Sequence, residues 1–170
     1  LAEVVAEICA RSGLTRIDVG GLYGTVSGYL LDEIRSAREA LQPLMLAYGF
    51  EAFESAGQIV FPHRGGSAGL PVNLSGMVEG DASAPVLERS RASAGATQDV
   101  VRLSYVQAEN DYRLGAAEAR LPNSSLSRVG ETSLPLTMAG AQAQLLADRW
   151  LAENLRSRDT ASFALPPSAL

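Results

Sequence analysis

Apolar residues recur at Leu1, Val4, Val5 and Ile8, the i, i+3, i+4, i+7 spacing of a helix with one buried face. Glu3, Glu7 and Arg11 stay off that face, and Gly13 supplies a stop. The stretch "TRIDVGGLYGTVSGYLLDE" then loses periodicity and reads as a loop, followed by a strand near Thr25 to Leu31. Ser36 followed by Glu39 forms a capping-box pattern, which predicts a helix start. Ala37, Leu41, Leu44, Met45 and Tyr48 continue as a helical stripe that stops at Gly49. Pro43 falls inside this helix and removes its hydrogen bond to the Glu39 carbonyl, which predicts a bend. Beyond it, "FEAFES" and "QIVFPH" flank Ala56-Gly57, a hairpin signal.

From Arg64 the composition shifts to Gly, Ser and Ala, and the internal boundary is placed between Arg64 and Leu70. It separates a helix–strand–helix–hairpin subdomain at 1–65 from a β-rich subdomain with a long C-terminal helix at 66–170. Val101, Leu103 and Tyr105 alternate with Arg102 and Ser104, as in a half-buried strand. "SLPLT" reads as a short strand, after which Thr137 caps a helix from Met138 to about Ser157. Leu145, Ala152 and Leu155 lie on one side of it, and Ala143, Leu146 and Trp150 on another, predicting a wide apolar surface with Trp150 facing the core. "TASFALPPS" supplies a closing strand ended by Pro166 and Pro167. The expected fold is α+β, with short strands, hairpins and about three helices.

Composition narrows the chemistry. Net charge is −5 and all 14 basic residues are Arg, scattered along the chain, which disfavours non-specific nucleic-acid binding. No apolar run approaches the roughly 20 residues that cross a bilayer, so no membrane insertion is expected. The chain opens on Leu1 directly into a helix and reads as a piece of a longer protein. Cys9 is the single cysteine and His63 the single histidine, leaving neither an internal disulfide nor a Cys/His metal cluster to build. No cofactor is expected. "DVGGLYG" lacks the glycine spacing and the lysine of a nucleotide loop. The carboxylate pairs Asp32/Glu33 and Glu109/Asp111 sit in polar stretches, where adjacent acids are ordinarily solvated charge.

Two stretches carry a family resemblance. "VSGYLLDE" and "SAREALQPLMLAYGFEAFESAGQIVF" resemble the phage tail hub pattern: a Gly-Tyr strand, a helix of the S-A-R-x-A-L-x-P-L type, then F-x-A-x-E-S-x-G-x-I-V-F. "VVRLSYVQAENDYRLGAAEAR" and "AGAQAQLLADRWLAENLRSRDTASFALPPS" are similar to the latter half of the phage tail protein domain found in siphophage-like baseplates and in alphaproteobacterial gene transfer agents. The positions that match are structural: Tyr29, Ser36, Ala37, Arg38, Leu41, Pro43, Phe50, Phe61, Tyr105, Tyr112, Arg149, Trp150, Leu165 and Pro166. The resemblance implies a homotrimeric hub at the tail tip, joining the tube to other baseplate and distal, host-contacting proteins. Phe50, Phe53, Ile59, Phe61 and Trp150 are then the expected packing or interface residues. It also carries a rival, part of a cell-wall or glycan-hydrolysing tail enzyme, because some members bear an upstream segment resembling a glycoside hydrolase barrel. The carboxylate pairs above would be its acids.

Overall fold

A computed structural model of the protein describes residues 1–64, 76–78, 85–93, 98–122 and 128–166. Helix α1 (Ala2–Arg11) buries Val5, Ile8 and Cys9 and ends just before Gly13, whose φ of +77° turns the chain back. The stretch read as loop contains a two-residue strand β1 (Ile17–Asp18). It pairs in parallel with β3 (Gln58–Val60), which pairs antiparallel with β2 (Phe53–Ser55), in the order β1-β3-β2. The predicted hairpin is present.

Helix α2 (Ala37–Tyr48) starts on the predicted cap. The Ser36 hydroxyl oxygen accepts from the Glu39 N–H at 3.3 Å, and the Glu39 carboxylate accepts from the Ser36 N–H at 3.0 Å. The Ser36 N–H and hydroxyl donated to this carboxylate, backbone first, hold its pKa below the usual glutamate range. The helix continues through Pro43 and buries Ala40, Leu41 and Leu44.

The expected strand near Thr25 to Leu31 is not formed. Among the described residues that segment makes a single bridge, Tyr29 with Leu136, flanked by Leu30 N–H to the Pro135 carbonyl (3.0 Å) and Thr137 N–H to the Gly28 carbonyl (2.9 Å). The bridge lies at an irregularity in the adjacent strand, where its pairing to the strand Val100–Gln107 breaks register between Ser104 and Val106. A Cβ on Gly28 would come within 2.8 Å of Thr137 Oγ1, so glycine lets the two backbones approach. Tyr29 donates its hydroxyl to the Ala40 carbonyl and Tyr48 to that of Thr25 (2.8 Å), fastening the segment to α2; burial pushes both phenols up.

The second sheet holds β5 (Val100–Gln107), β6 (Leu114–Arg120) and β7 (Val129–Met138) in the order β6-β5-β7. The "SLPLT" strand is thus longer than expected. Leu134, Leu136 and Met138 continue its buried alternation through Thr137, so that residue stays in the strand and does not cap a helix. Helix α3 (Gly140–Arg156) begins after Ala139, whose N–H donates to the Gln142 side chain at 3.2 Å. It packs on β5 and β6 along one face, Ala143, Leu146, Ala147 and Leu151. The expected wide surface is narrower, since Leu145 is 69% exposed. The closing strand, β8 (Asp159–Phe163), stops before Pro166 and pairs antiparallel with β4 (Leu87–Arg91).

One hydrophobic core runs through α1, α2, β5–β7 and α3, from Val5 and Leu44 to Leu103 and Leu151. The boundary expected between Arg64 and Leu70 falls mostly outside the described residues. Among those, no helix is long and apolar enough to cross a membrane.

Candidate functional site

The helix–hairpin unit is built around the end of α2. Gly49 occupies the left-handed region (φ +68°, ψ +50°) and its N–H closes on the Met45 carbonyl at 2.9 Å. This turn delivers Phe50 into the core with no exposed surface, beside Phe61 at 2% exposure. The two rings meet edge to face, 6.1 Å apart at 72°. The backbone locks the same contact: Phe50 bridges His63, Glu51 N–H reaches the Pro62 carbonyl (3.0 Å) and Arg64 N–H the Gly49 carbonyl (2.7 Å). At the hairpin tip Ala56 and Gly57 both take positive φ, +50° and +73°, the pattern of a type I′ turn.

Phe53 points away from this core and is 52% exposed. It stands on a groove of about 540 Å³ between α2 and the hairpin, floored by Leu14, Leu41, Met45, Ile59 and Phe61. Arg38, Glu51 and Glu54 line the same groove with charge of both signs. The five expected packing residues therefore divide. Phe50 and Phe61 pack inward, Ile59 and Trp150 are partly buried against the core, and Phe53 remains on the surface.

Helix α3 braces the unit through Arg149, whose guanidinium donates to the Leu46 carbonyl at 2.6 Å and the Ala47 carbonyl at 3.0 Å. These carbonyls belong to the last turn of α2, where helical partners run out and a cation is favoured. Arg149 also approaches Glu153 (3.7 Å), which pairs with Arg64 (3.3 Å), which in turn pairs with Glu51. The chain of charges joins α3 to the hairpin. Periodicity could not reveal this, because Arg149 lies about a hundred residues from the carbonyls it caps.

The other chemical candidates do not converge. His63 stacks on Tyr23 at 3.7 Å and its Nε2 accepts from the Tyr23 N–H at 3.0 Å, so it closes a loop. Cys9 is fully buried, and burial pushes its thiol up, away from the reactive thiolate. Asp32 and Glu33 both face Arg35, at 3.5 and 3.4 Å. Glu109 and Asp111 lie in the exposed turn between β5 and β6. No group of three metal-ligating residues occurs among the described residues.

Residues 36–170 match the family described as "Putative phage tail protein". Among solved structures, a chain of "Virion of native gene transfer agent (GTA) particle" shares 46% identity over 99% of this chain, with a TM-score of 0.91. A second, the tail protein from Neisseria meningitidis MC58, is 11% identical over 94% of this chain at a TM-score of 0.50, a likeness of fold. The chain spans 38% of the first structure's chain and 48% of the second's. No curated protein matches the sequence. The chain thus belongs to the phage tail protein family that its sequence resembles.

Proposed function

We propose that this segment is a hub module of the baseplate of a phage or gene transfer agent tail. It assembles as a homotrimer around the tail axis and joins the tube to distal, host-contacting proteins. Its mechanism is geometric: a braced helix–hairpin unit and a covered sheet hold a fixed shape, and rotational symmetry closes the ring. The observation that carries this reading is the 46% identity, sustained over 99% of the chain, to a component of a gene transfer agent virion. Phe53 and its groove supply an apolar surface of the kind a neighbouring subunit covers. The carboxylates proposed for hydrolysis are exposed or paired with arginine, so no observation favours the enzymatic alternative. Electron microscopy of purified tails carrying a labelled copy tests the reading. Label at the tip is the expected result, and tails labelled elsewhere or not at all would refute it.

A further inference from the structure

Strands β4 and β8 form a two-stranded ribbon unlike the rest of the fold. Five antiparallel pairs run from Leu87 with Phe163 to Arg91 with Asp159. Nine of the ten residues are exposed, so neither face rests on the core. A pair of strands without a third strand or a covering helix is marginal in water. Among the described residues no further strand pairs with either outer edge, and just past β8 the Ala164 carbonyl accepts from the Val78 N–H at 3.0 Å; an edge of this kind is a template for another strand.

The ladder fixes which groups face outward. Ala92 N–H donates to the Arg158 carbonyl at 2.9 Å, in register with the ribbon, so the bonded pairs are Ser90 with Thr160 and Glu88 with Ser162. The amides of Arg89 and Arg91 on β4, and of Asp159, Ala161 and Phe163 on β8, therefore point away from the partner strand. The two edges are also complementary in charge. β4 carries Arg89 and Arg91 against Glu88, whereas β8 carries Asp159. Within the chain Arg91 already meets Asp159 at 3.4 Å, and both stay more than half exposed. Leu87 and Phe163 form an apolar end opposite this charged one.

We infer that the occupant of this edge is the same ribbon of a second copy, with β4 of one copy laid antiparallel against β8 of the next. Repeating the internal register places Arg91 of one copy opposite Asp159 of its neighbour, and Leu87 opposite Phe163. Such a contact is heterologous, and a rotational ring closes it. It rests on the homotrimeric hub reading and names the surface through which neighbours meet.

The test uses assembled tails built from the full parent chain. Copies bearing Arg89→Cys and copies bearing Ala161→Cys are produced together and oxidised; each holds one new thiol, so a disulfide between the two links different copies. A disulfide-linked dimer is expected from the mixture and from neither variant alone. Hydrogen exchange on wild-type protein is read alongside. The outward amides of Arg89, Arg91, Asp159 and Ala161 exchange fast in the free chain and slow in tails. Protection without the dimer places a different chain on the edge and overturns the inference. So does a dimer formed by either variant alone, or unprotected amides in tails that contain the protein. Those results leave the hub reading standing, whereas absence of the protein from tails removes both.

Discussion

Replacing Phe50 with alanine tests whether the helix–hairpin unit is held from within. Its ring has no exposed surface and packs edge to face on Phe61 at 6.1 Å. Withdrawing it forfeits roughly 1.5–3 kcal/mol of burial. The aromatic pair adds about 0.5–1.5 kcal/mol, and the space left behind costs more, giving about 3–5 kcal/mol in total. For a chain of 170 residues, that lowers the melting temperature by roughly 6–20 °C at about 2–4 °C per kcal/mol. Phe53, three residues further along the sequence in the tail-family motif, provides the control. At 52% exposure its removal costs about 1 kcal/mol and opens no cavity, so its loss should appear in incorporation into tails. Urea denaturation of the purified variants, with particle yield measured in parallel, separates the two. The reasoning fails if Phe53→Ala destabilises the isolated chain as much as Phe50→Ala, or if Phe50→Ala costs less than about 1 kcal/mol.

Further substitutions probe the supports of that unit. Arg149→Met removes the cap on the Leu46 and Ala47 carbonyls and should cost roughly 1–2 kcal/mol in urea denaturation; Arg149→Lys recovers only part, since an ammonium lacks the planar fork. Ala56→Asn places a residue tolerant of positive φ at the first turn position and should raise stability by about 0.5–1 kcal/mol in calorimetry. Ser36→Ala should cost about 1 kcal/mol through the lost cap. Because the Ser36 donors depress the Glu39 pKa in the folded chain, their stabilisation is complete above the ordinary glutamate range and fades as pH falls through and below it. Stability measured across acid pH for wild type and Glu39→Gln should therefore converge at the acid end.

Local chemistry was legible where a few consecutive residues decide the outcome. Ser36 and Glu39 set the start of α2, Gly49 its end, and Ala56-Gly57 the hairpin turn, each through contacts within a few positions. The misreadings arise where distant residues decide. Thr137 is a good capping residue in isolation, yet β7 holds it because Leu134, Leu136 and Met138 bury alternately against the sheet. The Thr25–Leu31 segment has strand-forming residues, but β7 offers it a partner only around Pro135, where the register with β5 shifts. Burial of Phe50 and exposure of Phe53 could not be separated by pattern, since both occupy one apolar-rich motif. The direction of each ring follows from the left-handed turn at Gly49 and from which strand edge the hairpin presents.

The distribution of arginine connects the closed and open parts of the molecule. Arg149 and Arg64 spend their donors within the chain, binding α3 to the last turn of α2 and to the hairpin. Arg102 does the same across the second sheet, reaching Glu118 at 2.9 Å and Glu131 at 2.6 Å. Arg89 and Arg91 stand instead on the exposed β4–β8 ribbon, where Arg91 meets Asp159 of the same chain at 3.4 Å. A guanidinium is weakly hydrated and forked, so it serves a protein interface better than a lysine would. In the proposed assembly, this exposed ribbon is where the next copy would meet backbone donors and charge.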